Sequence, residues 1–174
     1  MASTNNHPAT LIEVETLARQ WQNGLHINHT CHSRMTAKLE HRARYISIAT
    51  ITLSTIVGTA IFASLAQSPA QWAKILTGTL SIATAILAAF NASLGYSQLA
   101  ERHREAAVKY GALRRKFEEV VATVPATDLP TLLATVRSEW DHIDAIVPSI
   151  PQLIYDRISR RIVATHTIKH TVSE

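Results

Sequence analysis

Two stretches without a single Asp, Glu, Lys or Arg, Tyr45 to Ala73 and Ile75 to Ala100, follow one another with only Lys74 between them. Each is long enough to cross a bilayer, since roughly 20 apolar residues in a helix span ~30 Å of hydrocarbon. The segment Gln67-Ser68-Pro69-Ala70-Gln71-Trp72 supplies polar residues, a proline that stops a helix, and a tryptophan suited to the headgroup level. The pattern predicts a membrane hairpin over residues 45–100, with antiparallel spans at about 45–66 and 72–94. The competing reading is a buried helical hairpin in a soluble bundle, where paired charge-free runs of this length are unusual. The first 44 residues are polar and helix-like, which excludes an N-terminal signal peptide.

Composition narrows the rest. Charged residues make up 17% of the 174 and hydrophobic ones 47%, the reverse of the balance that keeps a chain disordered. A single cysteine excludes a disulfide scaffold and a zinc site built on paired cysteines. Lys38, Arg42 and Arg44 precede the first span, and Arg102, Arg104, Lys109, Arg114, Arg115 and Lys116 follow the second. The positive-inside bias therefore predicts a two-pass protein with both termini in the cytoplasm and a very short outer loop. A signal must then arrive from inside or from within the membrane.

Neither span is uniformly greasy. In the second, Thr77, Ser81, Thr84, Ala88, Asn91 and Gly95 form one stripe of small or polar residues at 3–4 spacing. In the first, Ser47, Thr50, Ser54 and Gly58 do the same. Small residues let helices approach closely in lipid, so both stripes read as packing seams. The alternative is that the stripe with Asn91 faces a water-filled path in a homo-oligomer, because polar residues at membrane depth often mark ion paths.

The flanking segments read as cytoplasmic helices, in an all-α fold of coiled-coil-like character. Leu11, Val14, Ala18, Trp21, Leu25, Asn28, His32, Met35 and Leu39 recur at 3–4 spacing within residues 1–44. Leu99, His103, Ala106, Tyr110, Leu113, Phe117, Val120 and Val124 recur likewise after the second span. With only Gly24 as an interruption, each span is expected to continue into its flank as one long rod, and the rods to pack together. Within residues 101–162 a further helix is expected from an N-cap at Thr127 or Asp128, with Leu133, Val136, Trp140, Ile143 and Val147 inward. Pro148-Ser149-Ile150-Pro151 ends it, and a short C-terminal helix from Gln152 to about Arg161 turns Leu153, Ile154 and Ile158 inward. Residues 163–174 are expected to form a flexible tail.

Candidate chemistry is sparse. His26, His29 and His32 with Cys31 invite a metal reading, but on a helix 26 and 32 lie well apart around the axis. His103 falls among Glu101, Arg102, Arg104 and Glu105, where it reads as a packing histidine or a titrating gate. Asp141, Asp144 and Glu139 read as a solvated helix face. Arg114, Arg115 and Lys116 form a cluster able to meet phosphate or lipid headgroups, or simply solvent. No phosphate-binding loop, nucleophile elbow or HExxH motif occurs. The expectation is a protein without catalytic residues, metal or cofactor, and without a nucleic-acid partner.

Three elements together are more specific. Ile56-Val57-Gly58-Thr59-Ala60-Ile61-Phe62 resembles the end of the first span in the bacterial SLATT family of two-helix membrane effectors. Ala100-Glu101-Arg102-His103-Arg104 followed by Tyr110-Gly111-Ala112-Leu113-Arg114-Arg115 resembles the segment leaving that family's second span. Trp140 with Pro148, Ile150, Pro151 and Tyr155 is similar to its closing element. The resemblance implies a pore-forming, homo-oligomeric effector of the bacterial inner membrane, used in anti-phage conflict. It also implies a separate nucleotide-synthesising or nucleotide-sensing partner upstream; with no fused sensor domain evident, the trigger is expected to be a separate protein or a ligand bound to the rods. A non-conducting membrane-bound scaffold for partner proteins is the alternative.

Overall fold

In a computed structural model, the structure describes residues 11–66, 70–123 and 129–171, with side chains described over 16–64, 70–123 and 131–164. Five helices follow in order: α1 (Leu11–Ala66), α2 (Gln71–Leu94), α3 (Tyr96–Thr123), α4 (Leu129–Ile146) and α5 (Gln152–Thr171). No strand occurs among the described residues. The N-cap expected at Thr127 or Asp128, and Gln67 to Pro69 of the inter-span turn, lie outside them.

The chain divides into two compact units. One, here the head, comprises Met1–Met35 and Arg102–Glu174; the other, the hairpin, comprises Thr36–Glu101.

In the hairpin, α1 ends at Ala66, and α2 runs between Gln71 and Leu94 without one buried residue. Ile48, Ile51, Ile56, Phe62, Ile75, Leu76, Ile82, Ile86 and Phe90 are all more than half exposed, an arrangement that water would not tolerate and lipid would. The second rod is not continuous, contrary to the sequence expectation. Gly95 takes φ 54°, the left-handed conformation that glycine adopts without a Cβ clash, and it caps α2. Helix resumes at once as α3, with the Leu99 amide donating to the Gly95 carbonyl at 3.0 Å. No such break interrupts α1.

In the head, the 3–4 pattern forms the core as its spacing requires. Ala18, Leu25, Tyr110, Leu113, Phe117, Leu133, Val136 and Ile143 are buried together from α1, α3 and α4, with Trp21, Trp140 and Val147 packed against them. A second cluster joins Ile27, Cys31 and Ile162, covered by Ile150, Tyr155 and Ile158. It brings α5 onto α1. On α5 Ile158 packs inward as expected and Ile154 is half-buried, but Leu153 is 81% exposed, and Tyr155 and Ile162 join the inward positions. Helix α5 extends past Arg161 to Thr171, through much of the segment read as a tail, and residues 172–174 lie outside the described ones.

Two glycines mark close approaches between helices. A Cβ on Gly24 would lie 2.6 Å from Cη2 of Trp140, so the glycine is what admits the indole. Trp140 in turn meets Trp21 edge-on, with centroids 6.2 Å apart and planes at 82°. A Cβ on Gly111 would come 3.1 Å from Cδ2 of His29, which makes this the tight crossing of α1 and α3.

Candidate functional site

Thr77, Ser81, Thr84, Asn91 and Gly95 all fall on the half-buried face of α2, together with Ala73, Leu80 and Leu87. Ser47, Thr50 and Gly58 are half-buried on α1 alongside Ile46, Leu53, Val57 and Ala60, whereas Ser54 is exposed. Both faces belong to the same compact unit. The hydroxyls of Thr50, Thr77 and Thr84 donate to the carbonyls of Ile46, Ala73 and Leu80 at 2.8, 2.9 and 2.8 Å. Each hydroxyl is thereby satisfied inside its own helix, which lowers the cost of placing it in hydrocarbon.

A second polar column escaped the sequence reading. Thr52, Thr55 and Thr59 are exposed on α1, on the side opposite its half-buried face. Their 3–4 spacing is the signal that could have found them. Their hydroxyls donate to the carbonyls of Ile48, Ile51 and Thr55 at 2.9, 2.9 and 2.8 Å, which leaves an acceptor lone pair on each. The outward face of α2 is bulkier: Ile75, Ile82 and Ile86 dominate it, with Thr79 between them and Ser93 beyond.

The head carries a buried polar cluster. His32 and His103 are each 1% exposed, and their Nδ1 atoms approach to 2.9 Å. The His32 ring stacks on Tyr110, with centroids 5.4 Å apart and planes at 20°. The Tyr110 hydroxyl donates to Asp144 of α4. Burial drives the His32 pKa down to about 4, helped by the neighbouring His103, and burial lowers His103 as well. Burial and the Asp144 hydrogen bond push the Tyr110 phenol up. At neutral pH this is an uncharged ring pair with a tyrosine reporting to a carboxylate. Sequence spacing placed both histidines on seams; their meeting across α1 and α3 is tertiary.

Beyond it, Arg114 Nη1 donates to Nδ1 of His26 at 2.6 Å, and its Nε pairs with Glu118 at 2.8 Å. Gln22 adds a hydrogen bond to the same Glu118 oxygen at 3.1 Å. These two hydrogen bonds hold the Glu118 carboxyl below its ordinary range. His29 is lowered by burial and by the charges of Arg114 and Arg115. Lys116 pairs with Glu139 of α4. Two members of the basic cluster are thus engaged within the head, while Arg115 is exposed. Asp144 and Glu139, read from sequence as a solvated face, instead tie α4 to α3. Asp141 and Asp144 are both exposed, and Asp141 lies 3.9 Å from Arg137. Among the described residues no group of three His, Cys, Asp or Glu could hold a metal ion.

A family model described as SMODS and SLOG-associating 2TM effector domain family 4 matches residues 16–143. The chain belongs to this family. For a SLATT member, the two apolar helices are the two transmembrane segments, and the chain is a two-pass membrane protein. The SLATT match takes in both spans, α3 and most of α4, including the His32–His103 pair and Trp140. Pro148, Ile150, Pro151 and Tyr155, part of the resemblance seen in sequence, lie beyond it, as does α5. No curated protein and no solved structure matches the chain.

Proposed function

We propose that the chain is a homo-oligomeric pore-forming effector of the bacterial inner membrane, with both termini in the cytoplasm. A separate nucleotide-synthesising or nucleotide-sensing protein triggers it during anti-phage conflict. The family description supports the effector role and the link to SMODS and SLOG partners. One observation favours conduction over a passive scaffold: polar side chains occupy two opposite sides of the first span. Ser47 and Thr50 are half-buried within the hairpin, while Thr52, Thr55 and Thr59 face outward. A single hairpin in lipid has no need of an outward polar column. In a ring of hairpins that column has a place, either against a neighbour or along water.

The test is dye release from liposomes carrying the purified protein, with and without extract from cells in which the system is triggered. Release that depends on the protein and the trigger is the expected result. Intact liposomes under every trigger, from protein that still captures cytoplasmic partners, would leave the scaffold reading in its place.

A further inference from the structure

Lys38, Arg42 and Arg44 are exposed on α1 in the two turns before the charge-free span begins at Tyr45. Lys38 and Arg42 are four residues apart, so they share one helix face about 6 Å apart along the axis. At 3.6 residues per turn that face runs on through Tyr45, which is 64% exposed, to Ala49, Thr52 and Ile56. All of these are exposed residues of the hairpin. The opposite side of the same turns carries Leu39 and Ala43, buried, and Ile46, half-buried. Glu40, the carboxylate of this stretch, falls off the cationic face and is half-buried. The His41 ring meets the Tyr45 ring edge-on with centroids 4.7 Å apart.

Long basic side chains at a span end lay their methylenes along lipid and raise their charge to the headgroups, and a tyrosine favours the same depth. The basic cluster of α3 does not offer this, since Arg114 and Lys116 are engaged by Glu118, His26 and Glu139. We propose that Lys38 and Arg42, flanked by Arg44 and Tyr45, form a binding site for an anionic phospholipid headgroup in the leaflet where α1 enters the membrane. The site rests on the two-pass topology and not on pore formation.

Native mass spectrometry of the full-length protein, released from detergent and titrated with phosphatidylglycerol or phosphatidylcholine, tests it. The wild type retains phosphatidylglycerol over phosphatidylcholine. In the Lys38→Gln/Arg42→Gln variant the anionic lipid binds about 25-fold more weakly, roughly fivefold for each cation removed. The charge-conserving Lys38→Arg/Arg42→Lys variant keeps binding, as does Lys109→Gln/Arg160→Gln, which removes two exposed cations of the head. Unchanged affinity in the first variant, an equal loss in the head variant, or equal retention of the two lipids overturns the site. None of these readouts depends on whether the protein leaks dye.

Discussion

His32 and His103 place their Nδ1 atoms 2.9 Å apart in the interior of the head, so one ring donates, the other accepts, and at least one is uncharged. Burial lowers the pKa of both, to about 4 for His32. The unfolded chain, with histidines near 6.5, therefore takes up protons that the folded head refuses. Stability from the pair is complete above about pH 6.5 and is lost as the pH falls toward 4. At pH 5 the His32 shift alone corresponds to a loss of about 2 kcal/mol. Denaturant midpoints measured from pH 8 to pH 5 should fall accordingly, and a His32→Leu/His103→Leu variant should flatten that limb. A wild-type midpoint independent of pH would refute the buried neutral pair.

Gly24 and Trp140 give the second prediction. Alanine is the better helix former by about 1 kcal/mol, so propensity alone makes Gly24→Ala stabilising. The added Cβ would instead meet the indole at 2.6 Å, and overpacking of this kind costs about 1–3 kcal/mol. The melting temperature of Gly24→Ala should drop, and Trp140→Leu in the same chain should recover part of the loss. Gly58→Ala and Gly78→Ala, where a Cβ meets nothing within 4 Å, should leave it unchanged or raised.

Tyr110 bonds Asp144 across α3 and α4 while its ring lies on His32. Tyr110→Phe keeps the ring and deletes the bond, at a cost of about 1.5–3 kcal/mol for a hydrogen bond to a charged group. Asp144→Asn should cost less, and the double variant should show coupling in a thermodynamic cycle of unfolding midpoints. Additive losses would mean that the two groups do not interact.

Cys31 is fully buried, and burial pushes its thiol up to about 11. Reactivity follows the thiolate. Maleimide should therefore label the native protein slowly at pH 7.5 and the denatured protein at once, which mass spectrometry would show. Cysteines introduced at both termini and near Trp72 could then map topology without removing Cys31.

The two polar columns of the spans should behave differently in the leak assay. Thr84→Leu with Asn91→Leu alters the half-buried face of α2 and should weaken assembly of the hairpin, read as a lower melting temperature. Thr52→Leu, Thr55→Leu and Thr59→Leu together change only exposed positions and should abolish leakage while leaving the melting temperature in place. Full leakage from the threonine variant would exclude this column from the conduction path.

The spans were legible because charge is excluded from hydrocarbon at any position, so absence alone marks them. The head seams were legible because burial of Ala18, Leu25, Tyr110, Leu113 and Phe117 needs nothing beyond 3–4 spacing. What sequence could not settle is where one residue type serves two ends. Gly95 fits a small-residue seam and a left-handed cap equally well, and only the backbone shows that it serves as the cap. Leu153 and Tyr155 are both plausible core residues, and the way α5 lies against Ile27 and Cys31 selects Tyr155. Asp144 is exposed as read, and its bond to Tyr110 escaped the sequence because the partner is on another helix.

The hairpin thus has one unbroken leg and one jointed at a glycine. A single left-handed residue, Gly95, sets α2 off from the first turn of α3, whereas α1 has no such joint between Leu11 and Ala66. A bilayer that thins or thickens would then be met by unequal tilting of the two spans, with the glycine leg giving way first.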